Sequence, residues 1–210
     1  MSYRPLPVSP PLLALISAPS GAGKTTLCQN LLGKRPEFAR AVTCATRPPR
    51  PGERDGVDYH FLTPEAFDAR LAAGEFLEHA TVFGNRYGTL ASEVLSNLRS
   101  GKNLLLAIDV QGAASVRARA RQDPELGAAL VTIFLTPPSF AELESRLRKR
   151  GTESPDVLER RLGKARAEIA RWNEFEYLIT SGTMEEDLRR LEAILDAEKL
   201  RQTRARPPTI

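Results

Sequence analysis

Short apolar runs recur along the chain at residues 12–17, 41–45, 103–108, 130–135 and 177–180, each with the length of a buried strand. Between them lie segments whose apolar residues repeat every three or four positions: 24–32, 113–121, 139–149, 155–173 and 184–200. Strands alternating with helices predict a parallel sheet covered by helices on both faces. Ser139 is a candidate N-cap, and Glu142 three residues on completes the pattern of a capping box.

Two stretches interrupt the alternation. Residues 47–101 open with Arg-Pro-Pro-Arg-Pro-Gly-Glu-Arg-Asp-Gly, whose prolines and glycines forbid a regular helix, and then carry short elements of their own. They read as an inserted subdomain. Residues 136–159 hold an Arg-studded helix running into Gly-Thr-Glu-Ser-Pro, a hinged segment with the character of a mobile lid. The expected organisation is one domain over 12–200. Its core comprises 12–46, 102–135 and 160–200, with a Pro-rich flexible arm at 1–11 and a loose tail at 201–210.

The first strand and first helix are joined by Ala18-Pro19-Ser20-Gly21-Ala22-Gly23-Lys24-Thr25-Thr26. Strand, small-residue loop and helix is the context of a phosphate-binding loop. Its glycines let successive backbone N–H groups turn toward phosphate oxygens, and the helix N-terminus adds partial positive charge there. Lys24 would reach the β- and γ-phosphates, and the Thr25 hydroxyl would ligate Mg²⁺. Ala18 stands where the usual pattern has Gly. A solvated Gly/Ser turn is the plainer alternative, and the flanking strand and helix argue against it.

Composition changes this picture little. With 41% hydrophobic and 27% charged residues, 210 residues suffice for a sizeable core, and no apolar run approaches a membrane span. The N-terminal segment lacks the apolar stretch of a signal peptide. Cys28 and Cys44 make neither a metal-ligand pattern nor a disulfide framework, so a reduced, cytoplasmic protein is expected. Only six of the 30 basic residues are Lys. Arginine suits bidentate phosphate recognition, but here it is scattered among acids with few aromatic residues, which gives no footprint for nucleic acid.

Four further motifs separate the nucleotide-binding classes. They are Thr43-Cys-Ala-Thr-Arg47-Pro-Pro-Arg50 through Gly56-Val-Asp-Tyr59, then Glu75-Phe-Leu-Glu78 through Tyr87-Gly-Thr89, then Ile108-Asp109-Val-Gln-Gly112, and Arg146-Leu-Arg-Lys-Arg150-Gly151. Together and in this order they resemble the guanylate kinases, over residues 12–195. The resemblance implies a P-loop kinase core with a GMP-binding insertion and a lid. It implies transfer of the γ-phosphate of ATP to GMP, and also to dGMP, with Mg²⁺ accompanying ATP and no obligatory protein partner. By the same resemblance Glu78 and Asp109 would accept from guanine N1–H and the 2-amino group, and the Thr43 and Thr89 hydroxyls would meet O6 or N7. Arg47, Arg50, Tyr59 and Tyr87 would hold the GMP phosphate. Lys24, Arg146, Arg150 and Arg161 would neutralise the transferring group once the lid closes.

Three departures from the family pattern stand out. Ala107 replaces an acid common two residues before Asp109, Arg86 stands where a Tyr is common before Tyr87 and would add a cation near the base pocket, and Ser181-Gly182 replaces an Asn-Asp pair. Two other readings stay open: a catalytically silent module of the same fold, and a related kinase for another acceptor. The presence of Lys24, Thr25 and the lid arginines weighs against the first. The Gly56–Tyr59 and Glu78–Gly88 signals weigh against the second.

Overall fold

The computed structural model describes residues 10–82, 84–149 and 155–205. Arg150 and residues 151–154, expected to form the turn of the lid, lie outside this range, as do 1–9 and 206–210.

The core is a five-stranded sheet in the order β2-β7-β1-β8-β9, with every pairing parallel. Its strands are β1 (Leu13–Ser17), β2 (Phe38–Arg40), β7 (Asn103–Ala107), β8 (Leu130–Thr136) and β9 (Tyr177–Thr180). Helices α1 (Lys24–Lys34) and α8 (Met184–Leu200) cover one face. The other carries α3 (Ala91–Arg99), α4 (Val110–Ala120) and α5 (Pro124–Ala129). Strand β1 shows why an unbroken apolar run was required. Ala14 and Ile16 pack toward Leu27, Leu31, Leu191 and Leu195, while Leu13 and Leu15 pack toward Val94, Leu98, Ala113 and Val116. A strand buried on both faces has no polar side to alternate with.

A second sheet, ordered β4-β3-β6-β5, comprises β3 (Thr43–Ala45), β4 (Tyr59–Phe61), β5 (Phe76–Val82) and β6 (Asn85–Leu90). Helix α2 (Pro64–Ala72) lies with it, and Phe67 stacks on Phe76 beside Cys44 and Leu90. The expected boundary at 46/47 therefore moves. Residues 41–45, read as one core strand, are not one: the core edge is Phe38–Arg40, and Thr43–Ala45 joins the second sheet. Only Ala41 and Val42 separate the two, so the sheets meet at a two-residue crossing.

Helices α6 (Phe140–Lys149) and α7 (Pro155–Ile169) pack on each other through Leu143, Leu147 and Ala165, a small core of their own. This unit runs past the expected lid boundary at 159. Ser139 Oγ accepts the Glu142 N–H at 3.1 Å as expected of a cap, but the Glu142 carboxylate accepts from Arg146 one turn on.

The C-terminal expectation needs correction over 201–205. Arg204 is buried: its guanidinium donates to Ala128 O at 2.9 Å and Leu130 O at 2.8 Å and pairs with the buried Glu198. Tyr177 donates its phenolic hydrogen to the same carboxylate. A carboxylate this buried is tolerated only with such partners. Arg204→Ala is expected to lower the free energy of unfolding by about 3 kcal/mol. Urea titration checks this, and a loss below about 0.5 kcal/mol would show that the Arg204 contacts contribute nothing.

Candidate active site

The loop between β1 and α1 folds as a phosphate cradle. Gly21 and Gly23 adopt φ of +92° and +97°, which lets the chain turn tightly into the first turn of α1. At Gly21 a side chain is excluded twice, since a Cβ would also lie 2.8 Å from Leu147 of α6. The loop is thus packed against the expected lid. Thr25 and Thr26 are exposed at the start of α1.

Lys24 folds back across the end of β7 and donates to Ile108 O at 2.6 Å. Burial pulls its pKa below the usual lysine value, while Cys28, Asp109, Glu168 and Glu78 act in the opposite direction. Helix α7 grips the loop at two points. Arg161 donates to Ser20 Oγ at 2.6 Å, and the buried Glu168 accepts the Ser20 N–H at 3.3 Å. Lys164 lies between Glu168 (3.7 Å) and Asp109 (3.9 Å). Glu168 was not anticipated; its place seven residues, two helical turns, after Arg161 was the available signal.

A cavity of about 430 Å³ opens between the two sheets, lined by Lys24, Thr43, Tyr59, Glu78, Tyr87 and Asp109 among others. Glu78, on β5, is buried. Its Oε1 accepts from Thr89 Oγ1 on the neighbouring β6 at 2.7 Å, and burial pushes its pKa above the usual carboxylate value. Across from it, a Cβ on Gly112 of α4 would come within 3.0 Å of Glu78 Oε2. Gly112 therefore leaves the space that this carboxylate uses. Asp109 caps α4, its Oδ1 accepting from the N–H groups of Gln111 (3.1 Å) and Gly112 (2.9 Å).

Tyr59 and Tyr87 meet edge-on, 6.2 Å between ring centroids. The Arg47 guanidinium sits 4.8 Å from the Tyr59 centroid and donates to both Glu53 oxygens, at 2.6 and 2.7 Å. Those bonds raise the Arg47 pKa and hold the Glu53 carboxyl at about 2. The Arg50 side chain is exposed, while its backbone N–H donates to Glu53 at 2.8 Å. Glu53 was also missed, although it lies within the Pro-Gly-Glu turn of the insertion.

Not every expected residue converges on the cleft. Arg146 contacts Glu142 and Ser181 Oγ (3.5 Å) rather than the loop. Ser181 donates to Asp187 at 2.8 Å, and the Gly182 N–H donates to the same carboxylate at 2.8 Å. Arg86 is not beside the pocket: it pairs with Asp68 and stacks over Phe67. It precedes Tyr87 on β6, and neighbouring strand positions point to opposite faces.

A family model described as guanylate kinase matches residues 12–198. This chain belongs to the guanylate kinase family. A guanylate kinase of Paramagnetospirillum magneticum is 44% identical over 92% of this chain and 87% of its own length. One from Clostridium perfringens is 46% identical over 92% and 86%. The crystal structure of guanylate kinase from Anaplasma phagocytophilum superposes with a TM-score of 0.71 at 32% identity, covering 95% of this chain and 91% of that one. As a guanylate kinase the chain is an enzyme, a nucleoside monophosphate kinase. Among the described residues no helix is long and apolar enough to cross a membrane.

Proposed function

We propose that this guanylate kinase passes the γ-phosphoryl group of ATP to GMP, and to dGMP, within the cleft between its two sheets. One observation carries the reading: the buried Glu78 carboxylate lines the same cavity as Lys24. Guanine offers N1–H and an amino group side by side, so a carboxylate can accept both, and adenine cannot match that arrangement. Asp109 lines the same cavity and would share the amino group. Thr43 and Thr89 carry hydroxyls that can donate to O6 or N7, Thr89 after releasing Glu78. The 2′-hydroxyl enters none of these contacts, which is why dGMP is included.

Arg47, Arg50, Tyr59 and Tyr87 would take the acceptor phosphate, and Arg47 would exchange one or both Glu53 bonds for phosphate oxygens. The N–H groups of residues 21–25 would hold the ATP phosphates. A phosphate oxygen of GMP attacks the γ-phosphorus, forming a P–O bond as the bond to the β-phosphate oxygen breaks, and ADP leaves with that electron pair. No general base is needed, because the attacking oxygen is already anionic. Lys24 would leave Ile108 O and follow the shifting negative charge. Arg161 would reach the same group from Ser20, joined by Arg146 and Arg150 on lid closure, which excludes water.

Mg²⁺ bound to nucleotide phosphates keeps most of its water and needs only one or two protein oxygens, so the exposed Thr25 hydroxyl is a sufficient donor. When bound it neutralises charge on the transferring phosphate. Ala107, on the cleft wall, supplies no carboxylate to its waters. The two thiols are buried and unpaired, which fits the reducing cytoplasm.

Coupled ADP production with Mg-ATP and, in turn, GMP, AMP, CMP, UMP and dTMP tests the reading. Turnover with GMP is expected to exceed that with the other four by about a hundredfold or more. Turnover with another acceptor instead would discard Glu78 as the guanine reader. Binding of GMP without turnover would favour a silent module.

A further inference from the structure

Arg40 closes β2 at the edge of the core sheet, paired in register with Leu105, and its side chain is exposed. It lines the same cavity as Tyr59, Tyr87 and Glu78, and its guanidinium carbon lies 5.1 Å from the Tyr59 ring centroid. Arg47 approaches that ring to 4.8 Å. Two guanidinium groups therefore share one phenol, one from the core sheet and one from the loop that follows β3.

Their charge environments differ. Arg47 is matched by Glu53, so the pair presents little net charge to the cleft. Arg35 and Arg86 are likewise matched, Arg35 by Glu37 and Asp196 and Arg86 by Asp68. Among the described residues no carboxylate comes within ion-pair distance of Arg40. A phosphate dianion entering beside Tyr59 would find Arg47 already spoken for and Arg40 uncommitted. Stacking on the ring leaves the guanidinium edge, with its N–H donors, available for oxygen.

We infer that Arg40 is a third guanidinium for the acceptor phosphate, supplied by the core sheet rather than by the inserted one. A phosphate held by Arg40 on one side and Arg47 on the other ties the two sheets together across the crossing at Ala41 and Val42. This inference rests on the proposed placing of the GMP phosphate at Arg47, Tyr59 and Tyr87.

The test is steady-state kinetics of the full chain and its Arg40→Ala, Arg40→Lys and Arg47→Ala variants. Arg40→Ala is expected to raise the KM for GMP about tenfold, with Arg40→Lys intermediate and the KM for ATP within about twofold of the parent. Competitive inhibition by guanosine, which has no phosphate, should be unchanged in Arg40→Ala. Its KM for GMP should also climb less steeply with added salt than that of the parent. An unchanged KM for GMP in Arg40→Ala beside a raised one in Arg47→Ala would overturn this inference alone. If neither variant shifted it, the placing of the phosphate would fall, and this inference with it. Guanosine inhibition weakened as much as GMP affinity would also overturn it, by making Arg40 a support for the base pocket.

Discussion

Lys24→Ala should reduce kcat by about a thousandfold or more while leaving GMP affinity within about twofold. The argument starts from where the amine sits. It is partly buried, holds Ile108 O at 2.6 Å, and has a pKa drawn down by loss of water. Asp109, Glu168 and Glu78 act against that loss and favour the charged form. The ammonium is thus held at the end of β7 by one neutral acceptor and distant carboxylates. An incoming phosphate anion is a stronger partner than a carbonyl, so the group can transfer to it at small cost. Alanine removes that charge from the transferring phosphate and breaks no hydrogen bond to Glu78 or Asp109 in the guanine pocket. Calorimetry with GMP and single-turnover phosphoryl transfer, measured on the same preparation, separate binding from chemistry. Full activity in the variant would sink the mechanism.

Glu78→Gln should raise the KM for GMP by about a hundredfold or more and narrow the preference over AMP. Glutamine keeps the volume beside Gly112 but brings an N–H₂ toward guanine donors, leaving buried groups unpaired. The carboxylate also predicts a pH dependence with a definite sign. Burial raises the Glu78 pKa, with Asp109 adding to the shift and the Thr89 hydrogen bond and Lys24 opposing it. Protonation removes an acceptor that guanine needs. Affinity for the base is therefore full above this raised pKa and is lost as pH falls through it, earlier than for an exposed glutamate. Competition by guanosine isolates the effect from titration of the GMP phosphate, and Glu78→Gln should flatten the acid limb. Unchanged GMP kinetics in the variant would remove Glu78 from base recognition.

How much of this was legible in the sequence depended on distance along the chain. The path from β1 through Gly21, Gly23 and Lys24 into α1 is contiguous, so strand, loop and helix announce each other within 23 residues, 12–34. The same holds for α8, where Thr183 and Glu186 form a reciprocal capping box at its start. The split at Ala41 and Val42 was illegible. Phe38–Arg40 and Thr43–Ala45 are three-residue strands with ordinary composition, and only pairing with β7 on one side and β4 and β6 on the other assigns them to different sheets. Arg86 was misread because adjacency to Tyr87 in sequence means opposition across a strand. Glu53 and Glu168 were missed for a related reason. Each acts through a partner it meets only on folding: Glu53 through the Arg47 guanidinium, and Glu168 through the Ser20 N–H, where helical spacing from Arg161 gave the face but not the contact. The tail was misjudged because Arg204 is drawn in by Glu198 and two carbonyls at the start of β8, contacts that polar composition does not reveal.

The two cysteines belong to different layers. Cys28 sits on α1, in the core at the wall of the cleft, and Cys44 is in the small cluster of the second sheet with Phe67 and Leu90. Burial pushes each thiol up to about 11, so at neutral pH neither offers an appreciable thiolate in the folded state. Alkylation must then wait for the chain to open locally, and the modified residue records which layer opened. The molecule carries an intrinsic two-channel clock for its own breathing, read by mass after timed exposure to iodoacetamide. Loosening of the nucleotide-bearing core and of the inserted sheet could be followed separately in one sample, with no probe added by mutation.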